Sequence, residues 1–129
     1  MKLFQKAKDG GPDSRVTGYW LIELKSLFSI VLLRFDDGSR DAYHSHAFTS
    51  VSWVLKGALL ELLDRMPCGG FHYYERSPVP ILTRRSTFHK VVSYGTTWVL
   101  SFRGPWSDTW QEYTDKNGNV TLTHGRVAV

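Results

Sequence analysis

Cysteine is all but missing from this chain: Cys68 stands alone, so no internal disulfide can form, and in a Pro-Cys-Gly-Gly turn it reads as incidental. No apolar run approaches the ~20 residues that span a bilayer, so a membrane partner is not expected. Lysines near Met1 are followed by no apolar stretch, so no secretion signal is expected. With disulfides also excluded, the expected location is the cytoplasm. Charge of one sign is scarce too. Sixteen Lys and Arg against 12 Asp and Glu leave only +4, and the basic residues are scattered, with Arg84-Arg85 the one doublet. A solvated surface fits that pattern better than a polyanion-binding patch, so nucleic acid is not the expected partner. Repeats and low-complexity tracts are absent, which excludes solenoids and linkers.

Present instead are short apolar stretches between turn signals, in a chain whose 129 residues suit one domain. Residues 1–15 are polar and contain Gly10-Gly11-Pro12-Asp13, which reads as a flexible arm or loop before a single domain over residues 16–129. Val16–Lys25, Ser29–Phe35, Ser39–His46, Val51–Leu55 and Ala58–Leu63 follow, rich in the aromatic and β-branched residues that strands prefer. Phe71–Arg76, Pro80–Arg84, Thr87–Ser93, Thr97–Arg103, Trp110–Thr114 and Asn119–His124 continue the series. Asp36-Asp37-Gly38 is a hairpin turn signal, and Gly57 separates two of the strands. Ala58–Asp64 also carries a helical pattern, but its position after Gly57 among strands favours β. Short strands with regular turns predict an all-β sandwich or barrel.

His44-Ser45-His46 carries the chemistry. On a strand, residues i and i+2 face one side with Cα atoms roughly 6.5–7 Å apart, so both imidazoles can reach one ion at about 2.0–2.1 Å. Alone, a His-x-His pair is weakly specific. Its flanks are more informative: Gly38, five residues, His44-Ser45-His46, three residues, Ser50, six residues, Gly57.

That spacing resembles the first motif of the cupin superfamily, in which the position of Ser50 is a glutamate. A second cupin motif, aligned on His89, would fall on Pro78, Arg84, Ser86 and Ser93, where only the histidine matches. The resemblance covers residues 29–103 and is more specific in its first half. It implies a cupin double-stranded β-helix, a jelly-roll barrel of six to eight strands, with His44, His46 and His89 as ligands of one divalent metal ion at its mouth. Fe²⁺ is favoured, with Mn²⁺, Ni²⁺ and Zn²⁺ as alternatives. Three histidines without a carboxylate are also found in thiol dioxygenases, so the set is chemically sufficient. The implied function is a dioxygenase-like or isomerase-like enzyme acting on a small, anionic molecule, with no catalytic base assignable. A non-catalytic ligand-binding module is the alternative. A 2-oxoglutarate-type oxygenase fits less well because it would carry an acid at position 46, and a nucleic-acid-binding barrel rests on charge and aromatics alone.

Arg84 and Arg103 are the expected anion-binding residues, supported by Arg85 and Lys90, with Trp53 and Phe102 lining the substrate pocket. Glu61 is a candidate replacement carboxylate whose direction alternation does not settle. His72 and His124 lie outside the motif and read as surface or pocket wall. A homodimer is expected, since apolar residues on both faces of the early strands suit a shared sheet.

Overall fold

The computed structural model describes residues 2–9, 14–38, 43–63, 70–114, 118–123 and 127–128. Every regular element among them is a strand: β1 (Lys2–Lys8), β2 (Val16–Leu24), β3 (Phe28–Phe35), β4 (Tyr43–His44), β5 (Ser50–Leu63), β6 (Phe71–Glu75), β7 (Ile81–Thr83), β8 (His89–Arg103), β9 (Thr109–Thr114), β10 (Gly118–Thr123) and β11 (Val127–Ala128). Among the described residues no helix is long and apolar enough to cross a membrane. Cys68 and His124 lie outside the described residues.

Two long strands organise the barrel. β5 and β8 pair antiparallel from Ser50↔Arg103 to Leu63↔His89, and each runs through two groups of strands. The first half of β5 and the second half of β8 sit between β7 and β3, giving the order β3, β8, β5, β7. Their other halves sit between β6 and β4, giving β4, β8, β5, β6. Two four-stranded groups sharing two bent strands make a jelly roll, the architecture predicted from the turn spacing. β2 and β1 extend one group beyond β3, and β9, β10 and β11 extend the other beyond β4.

Gly57 makes the bend in β5. Its φ is +94°, and a Cβ there would lie 2.7 Å from the Thr96 carbonyl oxygen and 2.8 Å from Thr97 Cα, so no side chain fits. The register shifts on both sides of it, between Val54 and Lys56 and between Lys56 and Ala58. Thr97 repairs the interrupted ladder, because its hydroxyl accepts from the Ala58 N–H at 3.1 Å and donates to the Ala58 carbonyl at 2.9 Å. The shift also changes which residues face inward: Ser50, Ser52 and Val54 before it, Leu59 and Glu61 after it. The sequence pattern alone puts a strand end at Gly57. The chain instead continues as one bulged strand.

A second correction concerns the amino-terminal segment, expected to be an arm or loop. Residues 2–8 form β1, paired with β2 from Lys2↔Glu23 to Lys8↔Thr17, so Leu3 and Ala7 belong to a strand alternation diluted by lysines. The core lies between the groups and consists of Trp20, Val31, Leu33, Val54, Leu59 and Val99. Burying such side chains contributes roughly 1.5–3 kcal/mol each. The outer surface keeps Leu21, Phe28, Leu55, Leu82 and Phe102 exposed.

Candidate metal centre and cavity

Strand pairing brings the three histidines together. His44 on β4 is the register partner of His89 at the start of β8, and His46 follows two residues on. One ligand atom from each lies within 4.8 Å of the others. The His46 and His89 Nε2 atoms are 2.9 Å apart, and the rings meet edge to face, with centroids 4.8 to 5.0 Å apart. Two nitrogens each about 2.0–2.1 Å from one ion and at right angles around it would be about 2.9 Å apart, so this pair suits a shared cation. Three imidazoles also form a sound donor set for Fe²⁺, Mn²⁺, Ni²⁺ or Zn²⁺. The residues fit the ion that the motif implies.

Behind the histidines stands a carboxylate. Glu61, buried on β5, accepts a hydrogen bond from His89 Nδ1 at 2.5 Å, leaving Nε2 directed to the cluster. Its other oxygen accepts from the Tyr74 hydroxyl at 3.2 Å and lies 3.3 Å from His72 Nδ1. Burial pushes the Glu61 carboxyl up, but the hydrogen bond and charge of His89, with His72 and Tyr74, outweigh it and hold it below its ordinary value. Burial, then the charge of Glu61 and the hydrogen bond to it, push the Tyr74 hydroxyl up to about 12. Glu61 is therefore not part of the three-residue ligand group. It fixes the tautomer and ring orientation of a histidine that is, as carboxylate–histidine pairs do in metal sites. Alternation could not find this role because the bulge at Gly57 reverses it.

The cluster opens into a cavity of about 500 Å³ lined by His44, His46, His89, Ser50, Glu61 and Arg103, among others. Arg103 is buried and takes Asp9 in a two-point ion pair, Nη2–Oδ2 at 2.6 Å and Nη1–Oδ1 at 3.4 Å. Its guanidinium carbon lies 4.5 Å from the centre of the Phe48 ring, itself 5.1 Å from the His46 ring. Of the four expected substrate-binding residues, Arg103 alone lines this cavity. Arg84 is exposed in the turn after β7. Trp53 and Phe102 face outward, stacked edge to face at 5.6 Å, with Trp53 Nε1 donating to the Pro78 carbonyl. Strand alternation explains it, since Ser52, Ser101 and Arg103 take the inward positions. Asp9, Trp106 and Trp110 also stand in the cavity wall, and no sequence motif points to them. Asp9 is hidden in a segment that reads as a loop, Trp106 stands among turn residues after Gly104-Pro105, and Trp110 lies at the start of a strand whose facing the pattern does not give.

The fold is shared with solved structures. A sugar phosphate isomerase from a cupin superfamily of Silicibacter pomeroyi matches with a TM-score of 0.64 at 15% identity, over 100% of this chain and 92% of that one. An RmlC-like cupin from Shewanella frigidimarina matches with a TM-score of 0.58 at 16% identity, over 79% and 84% of the two chains. The Fe(II) form of HppE matches with a TM-score of 0.62 at 12% identity, over 77% of this chain and 55% of that one. No protein-family model and no curated protein sequence matches the chain. At such identities the likeness is one of architecture, and the class it defines is plain: this chain has the cupin fold, with a three-histidine group that can hold a metal ion.

Proposed function

We propose that the protein is a metal-dependent cupin enzyme, in which His44, His46 and His89 hold one divalent ion against a small anionic substrate in the cavity. The observation that carries this reading is the convergence of three imidazole nitrogens within 4.8 Å, one of them braced from behind by Glu61. An ion held there would supply Lewis-acid or redox chemistry to a substrate atom. Glu61 keeps the His89 ring in one orientation, and Phe48, Trp106 and Trp110 form a run of ring contacts along the cavity wall. Fe²⁺ is the favoured ion, which the Fe(II) form of a protein of like fold supports. The reaction is dioxygenase-like or isomerase-like, the latter supported by the fold shared with a sugar phosphate isomerase.

Elemental analysis of protein purified without chelator tests this directly, with one divalent ion per chain expected. His44→Ala, His46→Ala and His89→Ala should each lose it, and His72→Ala should keep it. Equal metal content in all four variants would overturn the assignment. Ser50 in place of the motif's glutamate favours a second reading, a non-catalytic ligand-binding module, and protein that binds a ligand but never a metal decides for that one. The proposal includes a homodimer, supported by the exposed apolar side chains of Leu21, Phe28, Leu82 and Phe102. A monomer mass at every concentration in sedimentation rejects it.

A further inference from the structure

The strand register lays a row of polar residues across the inside of the barrel mouth. Glu23 pairs with Ser29, Ser29 with Arg103, Arg103 with Ser50, and Ser50 with Thr83, so five neighbouring strands each contribute one polar side chain. Adjacent strands lie about 4.8 Å apart, which makes this a continuous strip. Four of its members are buried: Glu23 is 4% exposed, Ser29 0%, Arg103 4% and Ser50 8%. The strip is incompletely satisfied. Arg103 Nε and Ser29 Oγ are buried with no hydrogen-bond partner among the described residues. The charge partner of Arg103 is also imperfect, since Asp9 makes one close contact and one at 3.4 Å, and its side chain remains 27% exposed.

We propose that Arg103 is the anchor for a ligand carboxylate, and that Asp9 occupies its place until the ligand arrives. A planar guanidinium binds a carboxylate through two parallel N–H bonds, the arrangement that Asp9 now approximates. A ligand entering from the cavity can meet the guanidinium more squarely and engage Nε as well. The exchange replaces one carboxylate with another, so the buried strip keeps its charge and the guanidinium is never left unpaired. A carboxylate is the class selected because it is the group that Asp9 already presents to this guanidinium, through the same two nitrogens. Only the Asp9 side chain need turn outward, because its main-chain N–H is tied to the Val16 carbonyl at 2.9 Å. Phe48, stacked between the guanidinium and His46, sets the spacing from this anchor to the metal ligands.

The inference names the anchoring group of the substrate proposed above, and its test runs on the metal-free chain so that it stands or falls apart from the metal. Succinate is titrated into chelator-treated full-length protein, with succinamide as the uncharged control and inorganic phosphate as the competing class. Asp9→Ala should bind succinate about tenfold more tightly than the unaltered protein, because the internal competitor is gone. Its melting temperature should rise with succinate by more than that of the unaltered protein. Adding Arg103→Met to Asp9→Ala should abolish both effects. If Asp9→Ala does not fold without ligand, Asp9→Asn, which keeps the side-chain shape, carries the same comparison. Equal succinate affinity in the variant and the unaltered protein would refute the inference. So would succinamide binding as well as succinate, or phosphate binding the variant more tightly than succinate.

Discussion

Three strands, β3, β8 and β5, run from the mouth of this barrel to its floor, joined at the mouth by β7, and they present opposite chemistry at the two ends. At the mouth, β3, β8, β5 and β7 show Ser29, Arg103, Ser50 and Thr83 to the interior. Four residues along, β3, β8 and β5 show Leu33, Val99 and Val54. Both ends are buried, yet only the floor has the composition that burial alone favours. A buried polar atom without a partner costs about 1–3 kcal/mol, so the mouth holds the fold together less well than its burial suggests. Burial at the mouth shapes a site, and burial at the floor supplies the stability that holds it.

Leu33→Ala should give the largest change that sharpens this contrast. It removes a well-packed floor side chain and should cost about 2–5 kcal/mol in urea unfolding, with metal stoichiometry unaltered. A smaller cost than Ser50→Ala at the mouth would erase the distinction. Glu61→Gln comes next, and should weaken metal affinity about 10–100-fold in calorimetry while leaving the three ligands in place. The same variant tests pH dependence. The folded Glu61 carboxyl is held below its ordinary 4.5, so its contribution to stability is complete above that value and is lost as pH falls through the lower folded one. Unfolding curves from pH 6 downward should therefore be flatter in Glu61→Gln. The smallest effect has the opposite sign. Ser29→Ala removes a buried hydroxyl with no hydrogen-bond partner among the described residues and should stabilise the protein by about 1 kcal/mol, on the same strand where Leu33→Ala destabilises it.

Much of the architecture was legible in the sequence because each strand between turn signals is set by local pattern. Val16–Lys25, Ser29–Phe35 and Thr97–Arg103 correspond to β2, β3 and half of β8 within a residue or two. The histidine cluster was legible because the His44-Ser45-His46 pair is local and the cupin resemblance implied His89 as the third ligand, although His46 lies just beyond β4. What stayed hidden depends on register between distant strands. Glu61 points inward only because Gly57 shifts the alternation of β5. Trp53 and Phe102 look like pocket aromatics by type, but the parity of Ser52 and Arg103 turns them outward. Asp9 meets Arg103 only because β1 pairs with β2, and nothing local to Lys2–Lys8 announces that pairing.

The long pairing of β5 with β8 has a kinetic consequence. It is a nested hairpin whose inner rungs, around Leu63↔His89, close a shorter loop than its outer rungs, around Ser50↔Arg103. Loop-closure entropy grows with the length enclosed, so zippering from the inner rungs is the less costly route, and a chain dominated by such distant contacts folds slowly. Substitutions near Leu62 and Val92 should then slow refolding, and those near Val51 and Phe102 should chiefly speed unfolding. The half that carries His89 and Glu61 is thus assembled first, and the half that carries Arg103 closes over it.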